Sequence, residues 1–547
     1  MNNILFRAGF LICLTTPVYA NDMAYSDPEF DEILSRDITE LTVTSVAKRS
    51  QKLSDTAAAI YVITQEELRR AGAYSIPDAL RIVPGMQVAK NTSDRWAIAS
   101  RGFNNTLSNK LLVLIDGRTI YTPVFSGVYW GDQSTSINDI ERIEVIRGPG
   151  ASLYGANAMN GVINIITKSS EKTQGNMISA TTTIKGNGLY EARHGGQSKD
   201  GSYYRVFGQY VDADSWYKGR TGFRIDKTTH NGNSYTFQGD TYGGEQETDL
   251  RVPTLTSPFT SIISSTDDSH GGNLMSRWNH TLSDDSSITL QAYADYYGRL
   301  ESNFDQRVAT ADIQLQHSMR FNERNKFLWG AETRLYYENL KGTFTASVND
   351  RYNIHSILSA FAQNEYAIIE DTLYLTTGSK FEYNDSTEFE FQPSIRLAYY
   401  ISQKQTVWGA ISRAVRTPSS IEQDVNILSL VTPGPLTEYR ILGNPSQRAE
   451  EVISYELGHR IQATRDLSID TALFFNDFDN LTTIGSPGAS YIAANGNTII
   501  PYTINNLGYG NVYGAEVASS WKINDDWKLS GSYSFINMQL YVKHGAA

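Results

Sequence analysis

Residues 140–168 have the sequence IERIEVIRGPGASLYGANAMNGVINIITK, in which two apolar strings flank a glycine-rich stretch. Ile140–Ile146 and Gly161–Thr167 are both rich in β-branched residues, so each string predicts a strand. Gly-Lys-Ser or Gly-Lys-Thr does not follow the glycines at 148, 150, 155 and 161, which argues against a phosphate-binding loop. We expect these glycines to serve turns and close packing instead.

The surrounding sequence predicts a compact α/β unit over residues 51–172. Lys110–Gly117 is an apolar run that ends in a turn, as expected for a buried strand. Thr64 and Glu67 form a capping box that opens a short helix, and a second short helix is expected within Ser75–Gly85. A unit of about 120 residues is large enough to have its own core.

After residue 172 the pattern changes to strands of alternating polarity, such as residues 288–296. The connections between the strands are alternately short and long. The long polar connections are 212–273, 413–450 and 479–509, and the tight turns lie near 199–200, 284–285, 323–324, 370–371, 403–404, 465–466 and 525–526. This arrangement predicts an all-β transmembrane antiparallel barrel. A soluble propeller or sandwich is the alternative, but it would not explain why short and long connections alternate.

The tight turns and a first strand near residues 177–184 predict about 15 strands in this chain. An odd number that ends on the long-loop side cannot close a bacterial barrel, whose strands are even in number. An open sheet edge in lipid would leave backbone groups without partners. We therefore expect residues 173–547 to be an incomplete barrel and the natural C-terminus to lie beyond Ala547.

Composition narrows the class of protein further. The net charge is −12, which argues against a nucleic-acid partner. Only 40% of the residues are hydrophobic, and no stretch of the mature chain approaches the roughly 18 apolar residues of a membrane helix. Residues 1–20 have the pattern of a secretory signal peptide, with Arg7 before an apolar run and Ala20 at the end. The single cysteine, Cys13, lies in this peptide, so the mature chain has no disulfide.

Catalytic and metal sites are not expected. The 8 histidines are scattered, without the spacing of metal ligands. No Gly-x-Ser-x-Gly elbow is evident. The sequence therefore predicts a protein that is not an enzyme and has no cofactor.

Residues 140–168 closely resemble the plug-domain motif of TonB-dependent outer-membrane receptors. Ser412–Pro418, Asn444–Gly458 and Tyr513–Glu516 resemble barrel motifs of the same family. The resemblance covers nearly the whole mature chain. It implies an N-terminal α/β plug domain inside a barrel of about 22 strands, in the lipid of the outer membrane of a Gram-negative bacterium. The 15 expected strands fall seven short of that number, which agrees with a shortened C-terminus.

The resemblance implies import of a scarce ligand, most often a ferric siderophore. The partners would then be an iron–siderophore ligand and TonB with its inner-membrane energising complex. Cobalamin, haem and sugar stay open as ligands, although a haem receptor usually has a histidine within 419–443, where this chain has none. A passive porin or a surface adhesin is the alternative from another class, but a porin would not need the α/β unit.

The periplasmic segment 21–50 contains an extended string where the family carries its TonB box. Such a box adds a strand to the sheet edge of TonB, so its backbone matters more than its side chains. The alternative is an ordinary first strand of the plug. The residues of the expected box are Glu40, Leu41, Thr42, Val43, Thr44, Ser45, Val46 and Ala47.

Four charges are expected to hold the plug in the barrel. Strand alternation places Glu456 and Glu516 on the luminal face. Arg101 and Arg147 each precede a glycine in the plug, and the resemblance implies that they pair with the two glutamates as a plug–barrel lock. Two charges of each sign leave no net buried charge. The alternative is four independently solvated charges.

Two plug loops are expected to face outward and meet the ligand. Aromatic rings and an arginine suit the stacking and charge of a catecholate or hydroxamate iron chelate. The alternative is that these aromatic residues pack against the barrel wall. The expected ligand-binding residues are Arg95, Trp96, Tyr121, Phe125, Tyr129 and Trp130.

Overall fold

The structure is a computed structural model that describes residues 41–92, 95–183, 187–213, 215–524 and 526–545. The expected signal peptide and Glu40 of the expected TonB box lie outside the described residues. Within them the chain forms a small α/β unit, which we call the plug, and a large sheet of mainly antiparallel strands, which we call the barrel wall.

The plug has a five-stranded sheet with the strand order β3-β8-β9-β6-β7. Its elements in chain order are β1 (Thr42–Val43), β2 (Gln51–Lys52), β3 (Ala59–Thr64), α1 (Gln65–Arg70), α2 (Ile76–Leu80), β4 (Met86–Lys90), β5 (Trp96–Ser100), β6 (Leu111–Ile115), β7 (Arg118–Thr119), β8 (Ile140–Arg147), α3 (Ala151–Tyr154) and β9 (Gly161–Thr167). Short 3-10 turns lie at Leu53–Asp55, Trp130–Asp132, Ile137–Asp139 and Ser170–Thr173.

The local signals of the plug sequence are confirmed. Helix α1 begins with the expected capping box, in which Thr64 and Glu67 exchange hydrogen bonds between side chain and backbone. Helix α2 lies within Ser75–Gly85, and the Ser75 side chain accepts a hydrogen bond from Asp78 N. The strands expected over Ile140–Ile146 and Gly161–Thr167 are β8 and β9.

The central plug strands are buried on both faces, which explains their continuous apolar runs. In β6, Val113 and Ile115 pack into one cluster with α1 and α2. The alternate residues Leu112 and Leu114 pack into a second cluster that includes barrel-wall residues Ala414, Val452, Phe474, Phe478 and Val512. The plug sheet therefore lies between its own helices and the barrel wall.

The barrel wall and its connections contain all the elements from β10 onward. They are β10 (Gly175–Thr182), β11 (Gly188–Gln197), β12 (Tyr203–Ala213), β13 (Trp216–Thr228), β14 (Ser234–Pro253), β15 (Thr260–Ser283), β16 (Ser286–Leu300), β17 (Phe304–Asn322), β18 (Asn325–Gly342), β19 (Ala346–Val348), β20 (Tyr352–Ile369), β21 (Leu373–Asn384), β22 (Glu388–Ser402), β23 (Gln405–Arg416), α4 (Ser420–Asp424), β24 (Val425–Thr432), β25 (Thr437–Leu442), β26 (Glu450–Gln462), β27 (Leu467–Pro487), β28 (Tyr491–Ile492), β29 (Thr498–Lys522) and β30 (Lys528–Val542). The short strands β19, β24, β25 and β28 and helix α4 belong to the long connections. Among the described residues, the other seventeen strands each pair antiparallel with the next one along the chain.

The expected count of 15 strands is wrong, because the structure has 17 long ones. The two additional strands are the hairpin of β13 and β14, which lies inside the expected long connection 212–273. Its turn is closed by Thr229 N, which donates to Asn233 O over 2.8 Å. The alternation of polar and apolar residues in β13 is weak, which is why the sequence did not predict this strand. Its luminal face carries lysine and arginine side chains, and its outer face is not uniformly apolar because it includes Gly219 and Thr221. The seven expected tight turns are confirmed, since each joins two consecutive long strands.

Strands β10 and β30 are the two edges of the sheet. With an odd number of antiparallel long strands, these edges run in the same direction. The expectation of about 22 strands and a shortened C-terminus stays a prediction. None of the helices in the described residues is long and apolar enough to cross a membrane.

Candidate functional site

The four residues of the expected plug–barrel lock lie together. Arg101 follows β5 and Arg147 ends β8, whereas Glu456 and Glu516 lie on β26 and β29. Arg101 Nη1 lies 2.7 Å from Glu456 Oε1, and Arg101 Nε lies 3.2 Å from Glu516 Oε1. Arg147 Nη1 lies 3.0 Å from Glu516 Oε2 and also donates to Pro84 O over 3.3 Å. Arg101 is therefore the residue that joins both glutamates.

The lock is shielded from water. The exposed fractions of the side chains are 0% for Arg101, 5% for Glu456, 3% for Arg147 and 2% for Glu516. Burial by itself would lower the pKa of Arg101, but the two glutamates outweigh it and the pKa stays above its usual value. The Arg101 guanidinium also lies over the Phe474 ring, 4.2 Å from its centroid. A buried cation of this kind depends on its anionic partners.

Two glycines let the lock carboxylates approach the plug backbone. Gly148 has a φ of +98°, and a Cβ there would lie 2.5 Å from Glu456 Oε1. Gly85 has a φ of +75°, and its Cβ would lie 2.5 Å from Glu516 Oε1. Both the backbone conformation and the space therefore require glycine at these positions.

A second ion cluster connects the plug to an outer connection, and the sequence analysis missed it. Lys110, just before β6, forms an ion pair with Glu450 at the start of β26. Arg416 lies 2.8 Å from Glu450 and 2.8 Å from Glu422 of helix α4, and donates to Thr482 Oγ1 over 2.9 Å. Two motifs that resemble the family, Ser412–Pro418 and the one beginning at Asn444, supply Arg416 and Glu450, two of the four charged residues, and were the signal available in the sequence.

Plug carboxylates form a further set of ion pairs with other strands of the barrel wall. Asp132 pairs with Lys218 of β13, and its Oδ2 lies 2.7 Å from Arg299 Nη1 of β16. Asp116 Oδ2 lies 3.6 Å from Arg224 Nη1 of β13. Burial alone would raise the pKa of Asp132, but Arg299 and Lys218 outweigh it and hold the pKa well below its usual range. These aspartates stay ionised in the plug.

Asp139 completes this set. It pairs with Arg193 of β11, and its Oδ2 lies 4.0 Å from Arg205 Nε of β12. The sequence contains little sign of these aspartates, because each partner lies at least 50 residues away along the chain. The only hint in the sequence was that these aspartates lie beside turns and apolar strands of the plug.

The expected ligand-binding aromatic residues are largely covered. Trp96, Phe125 and Trp130 are 7%, 6% and 8% exposed, and Tyr121 and Tyr129 are half-buried. Helix α4 covers the loop 121–130, because Ser420 N donates to Pro123 O and Ile421 N to Val124 O, both over 3.1 Å. Tyr121 and Tyr129 contact barrel-wall residues, as the alternative expects, whereas Trp96 and Trp130 lie in the plug's own core. The role of these rings in ligand binding stays a prediction.

Arg95 and the loop 103–109 are more accessible than the expected aromatic contacts around them. The Arg95 side chain is 40% exposed and lies 3.1 Å from Glu301 at the outer end of β16. Asn104, Asn105 and Thr106 are exposed, and Leu107 is 54% exposed. The sequence analysis did not single out this loop, although its run of polar residues between Arg101 and Lys110 indicates a surface loop.

The described part of the expected TonB box is packed against the plug. Thr42–Val43 pairs antiparallel with Gln51–Lys52, and Val43 is fully buried. Glu144 of β8 accepts hydrogen bonds from Thr44 N at 3.0 Å, Ser45 N at 2.7 Å and Ser45 Oγ at 2.6 Å. A strand held in this way must detach before it can pair with another protein, so its assignment as the TonB box stays a prediction.

A metal-binding site is not found in the described part of the chain. No group of three or more histidine, cysteine, aspartate or glutamate residues there is arranged to hold a metal ion. The clustered charges are instead mixed cations and anions that join the plug to the barrel wall.

Two protein families match the chain. The TonB-dependent Receptor Plug Domain family matches residues 52–162. The family of TonB dependent receptor-like β-barrels matches residues 219–543, which is more than half of the chain. The two matches coincide with the plug and the barrel wall.

Individual relatives and structures agree with these matches. The iron-regulated outer membrane virulence protein of Vibrio cholerae is 25% identical over 532 residues, covering 91% of this chain and 78% of that protein. The vitamin B12 transporter BtuB of Vibrio vulnificus is 39% identical over 144 residues, 26% of this chain and 23% of BtuB. A mutant ferric enterobactin receptor from Pseudomonas aeruginosa, solved with enterobactin, has a TM-score of 0.72 at 17% identity and covers 88% of this chain and 81% of its own. At that identity the structural likeness supports the fold.

Proposed function

Because the chain belongs to the TonB-dependent receptor family of the bacterial outer membrane, we propose that it imports a ferric siderophore across that membrane. The chain is a receptor and not an enzyme. In the proposed cycle the ligand binds at the outer face while the plug closes the lumen. TonB then pulls on the periplasmic segment, so that the plug shifts and the ligand passes.

The observation that carries this proposal is the ionic attachment of the plug to many strands of the barrel wall. Buried pairs join the plug to β11, β13, β16, β26 and β29. Breaking one buried pair typically costs about 3–5 kcal/mol, so a plug with several pairs does not leave by thermal motion alone. Passage through this lumen needs an energy source, which distinguishes the chain from a passive pore.

The ligand class is supported by the relatives. One is named an iron-regulated outer membrane protein, and a structural neighbour was solved with enterobactin, a siderophore. Cobalamin is the second candidate ligand, because the local identity of 39% is to a vitamin B12 transporter. The longer match, over 91% of this chain, favours iron.

We further propose that Glu40–Ala47 is the segment that TonB binds. It is extended at Thr42–Val43, as β-augmentation requires, and it precedes the plug in the sequence. In the resting state it pairs with Gln51–Lys52 and with Glu144. TonB would exchange these hydrogen bonds for a strand pairing of its own.

The proposed first contacts of the ligand are Arg95 and the loop 103–109, which are exposed; Arg95 lies beside Glu301, at the end of β16 away from the tight turn 284–285. Arg95 offers a cation to an anionic chelate, and the loop offers neutral hydrogen-bond donors. Tyr121, Phe125, Tyr129 and Trp130 could contact the chelate after helix α4 moves from the loop 121–130.

Uptake of radioiron bound to a tris-catecholate chelate tests the proposal. Iron-starved cells that express the chain should accumulate the label, and cells that lack TonB should bind it without accumulation. The variant Val43→Pro should bind the chelate but lose uptake, because proline removes the backbone donor of a strand. Uptake that persists in cells without TonB would contradict the proposal. If cobalamin displaces the bound chelate and no iron is taken up, cobalamin and not a ferric siderophore is the ligand.

A further inference from the structure

Three cations form a row along one face of β13. Lys218, Arg220 and Arg224 have the same strand parity, and their side chains are 4%, 3% and 11% exposed. Alternate residues of a strand lie about 6.8 Å apart, so the row covers roughly 20 Å of the lumen. It begins near Trp216 at the start of β13 and runs toward the tight turn 229–233, which belongs to the rim of short turns.

Further cations on neighbouring strands widen this row. Arg193, Arg205, Arg277 and Arg299 lie on β11, β12, β15 and β16, and each donates to a plug atom or pairs with a plug carboxylate. We call the seven cations the arginine wall. Asp226 and Asp240 of the barrel wall neutralise part of its charge, by pairing with Arg224 and Arg220.

The plug presents one negative group after another to the arginine wall. Asp132 meets Lys218 near the start of β13, whereas Asp116 meets Arg224 nearer the tight turn 229–233. One plug cation, Arg118, also faces this side, where it pairs with Asp295 of β16. The plug carboxylates therefore occupy positions where an anion contacts cations of the barrel wall.

The strands at the other end of the sheet have the opposite polarity. Glu450, Glu456 and Glu516, which we call the glutamate wall, receive Lys110, Arg101 and Arg147 of the plug. Along β11–β16 the seven cations face five acidic side chains of the same strands, so the described part of this side has a small positive balance; these acids are Glu191, Asp226, Asp240, Asp267 and Asp295. Along β26–β29 the balance is negative, although Arg460 adds one cation that pairs with Asp470. A plug with matching charges fits this lumen in one orientation.

We propose that the arginine wall is the path of the ligand and selects an anionic metal chelate. This inference rests on the proposed function. When the plug carboxylates move away, the buried cations lose partners and favour any anion that replaces them. A negatively charged ferric chelate takes the place of Asp132 and then of Asp116 as it passes along β13. A cationic ligand gains nothing on this side of the lumen.

The first test measures ion preference and needs no assumption about the ligand. The full chain is placed in a planar bilayer, the plug is loosened with mild urea, and the reversal potential is recorded in a potassium chloride gradient. The wild-type pore should prefer chloride. Lys218→Gln with Arg220→Gln should reduce that preference by about tenfold, because aligned charges raise the local counter-ion concentration by at least that factor.

A matched control removes the same charge from another part of the lumen. Lys380→Gln with Arg396→Gln changes one lysine and one arginine of β21 and β22, which also donate to plug carbonyls at 3.2–3.3 Å. This control should change the preference much less. Equal changes in both double variants, or a wild-type pore that prefers potassium, would overturn the proposal.

The second test separates transport from binding. Uptake of a ferric tris-catecholate should fall about tenfold in Lys218→Gln with Arg220→Gln, while its binding at the outer face is unchanged. Asp132→Asn is then added to remove the carboxylate that lost Lys218. If uptake recovers in this triple variant, the double variant had disturbed the attachment of the plug and not the path of the ligand, and the proposal fails. If wild type shows no uptake, the proposed function fails for this ligand, and the bilayer result alone decides the path.

Discussion

The arginine wall and the glutamate wall hold the same plug in different ways. On the glutamate wall, the ion partners of Glu456 and Glu516 among the described residues are plug arginines. On the arginine wall, Arg299 keeps Glu301 and Arg224 keeps Asp226 as partners within the barrel wall. If the plug moves, Glu456 and Glu516 lose these ion partners, and Glu450 alone on this wall keeps a barrel-wall partner, Arg416 at 2.8 Å. The arginine wall stays partly compensated.

This difference indicates the order of events during transport. Leaving a buried charge without a partner is the most costly step in separating two charged surfaces. We therefore expect the plug to release the arginine wall first and to remain attached to the glutamate wall. A path would then open along β11–β16, which is also where an anionic chelate is favoured.

Loss of the central cation of the lock should have the largest effect. Arg101→Ala removes an ion partner from both Glu456 and Glu516, which should weaken the attachment of the plug by about 3–5 kcal/mol. Large antibiotics should enter cells that express this variant, and hydrogen exchange in β8 should become faster. Arg69→Ala, at a side chain that is 65% exposed, is the control. If leakage through the two variants is equal, the glutamate wall is not the strong attachment.

Removal of one carboxylate from the other wall should have a smaller effect. Asp132→Asn takes a partner from Lys218 and Arg299, but Arg299 retains Glu301 at 3.0 Å. We expect a cost of about 1–3 kcal/mol, typical of a lost charged hydrogen bond. Antibiotic entry should lie between that of wild type and Arg101→Ala. Leakage as large as in Arg101→Ala would remove the distinction between the two walls.

The contact of Glu144 with the periplasmic segment is independent of both walls. Glu144→Gln weakens hydrogen bonds to Thr44 and Ser45 by about 1–2 kcal/mol. Trypsin should then cleave after Lys48 and Arg49 about tenfold faster, since about 1.4 kcal/mol is a factor of ten, without any rise in antibiotic entry. Glu141→Gln, three residues before Glu144 in β8, is the control and should be cleaved at the wild-type rate. Increased leakage would show that Glu144 also holds the plug.

Acidification should release the arginine wall gradually. The pKa values of Asp116 and Asp132 lie below the usual range in the folded chain, since nearby cations outweigh the effect of burial. Each carboxylate therefore stabilises the plug above its unfolded pKa of about 3.9, and that contribution is lost as the pH falls through the folded value. Hydrogen exchange near Asp132 should rise below about pH 4, and Asp132→Asn should flatten this rise. An identical pH profile in the variant would contradict the assignment.

The glutamate side of the lumen was accessible to sequence reasoning. Glu456 and Glu516 lie in strands of clear alternation, so their luminal position follows from parity. Their partners follow from the resemblance of the plug motif, and the structure places all four residues in contact. The arginine side was not accessible, because β13 and β14 were hidden in an expected long connection.

The ligand-facing loops show a second limit. Aromatic residues at 121–130 suit both ligand stacking and burial, and local sequence does not distinguish these roles. Their burial depends on Ser420 and Ile421 of α4, nearly 300 residues further along the chain. Loop 103–109 is exposed for a comparable reason, since the accessibility of a loop depends on which outer connections fold over it.

The sequence by itself determined the local elements of this protein: the capping box at Thr64, the strands β8 and β9, the seven tight turns and the change from a mixed to an alternating pattern after residue 172. These features depend on neighbours within a few residues, where backbone sterics and side-chain periodicity decide the outcome. Only the tertiary structure decided the charge polarity of the lumen and the resting position of Leu41–Ala47. Both depend on ion pairs and hydrogen bonds between residues far apart along the chain, such as Arg193 with Asp139 and Lys110 with Glu450. The strength of such contacts depends on burial, which is set when the plug packs into the barrel.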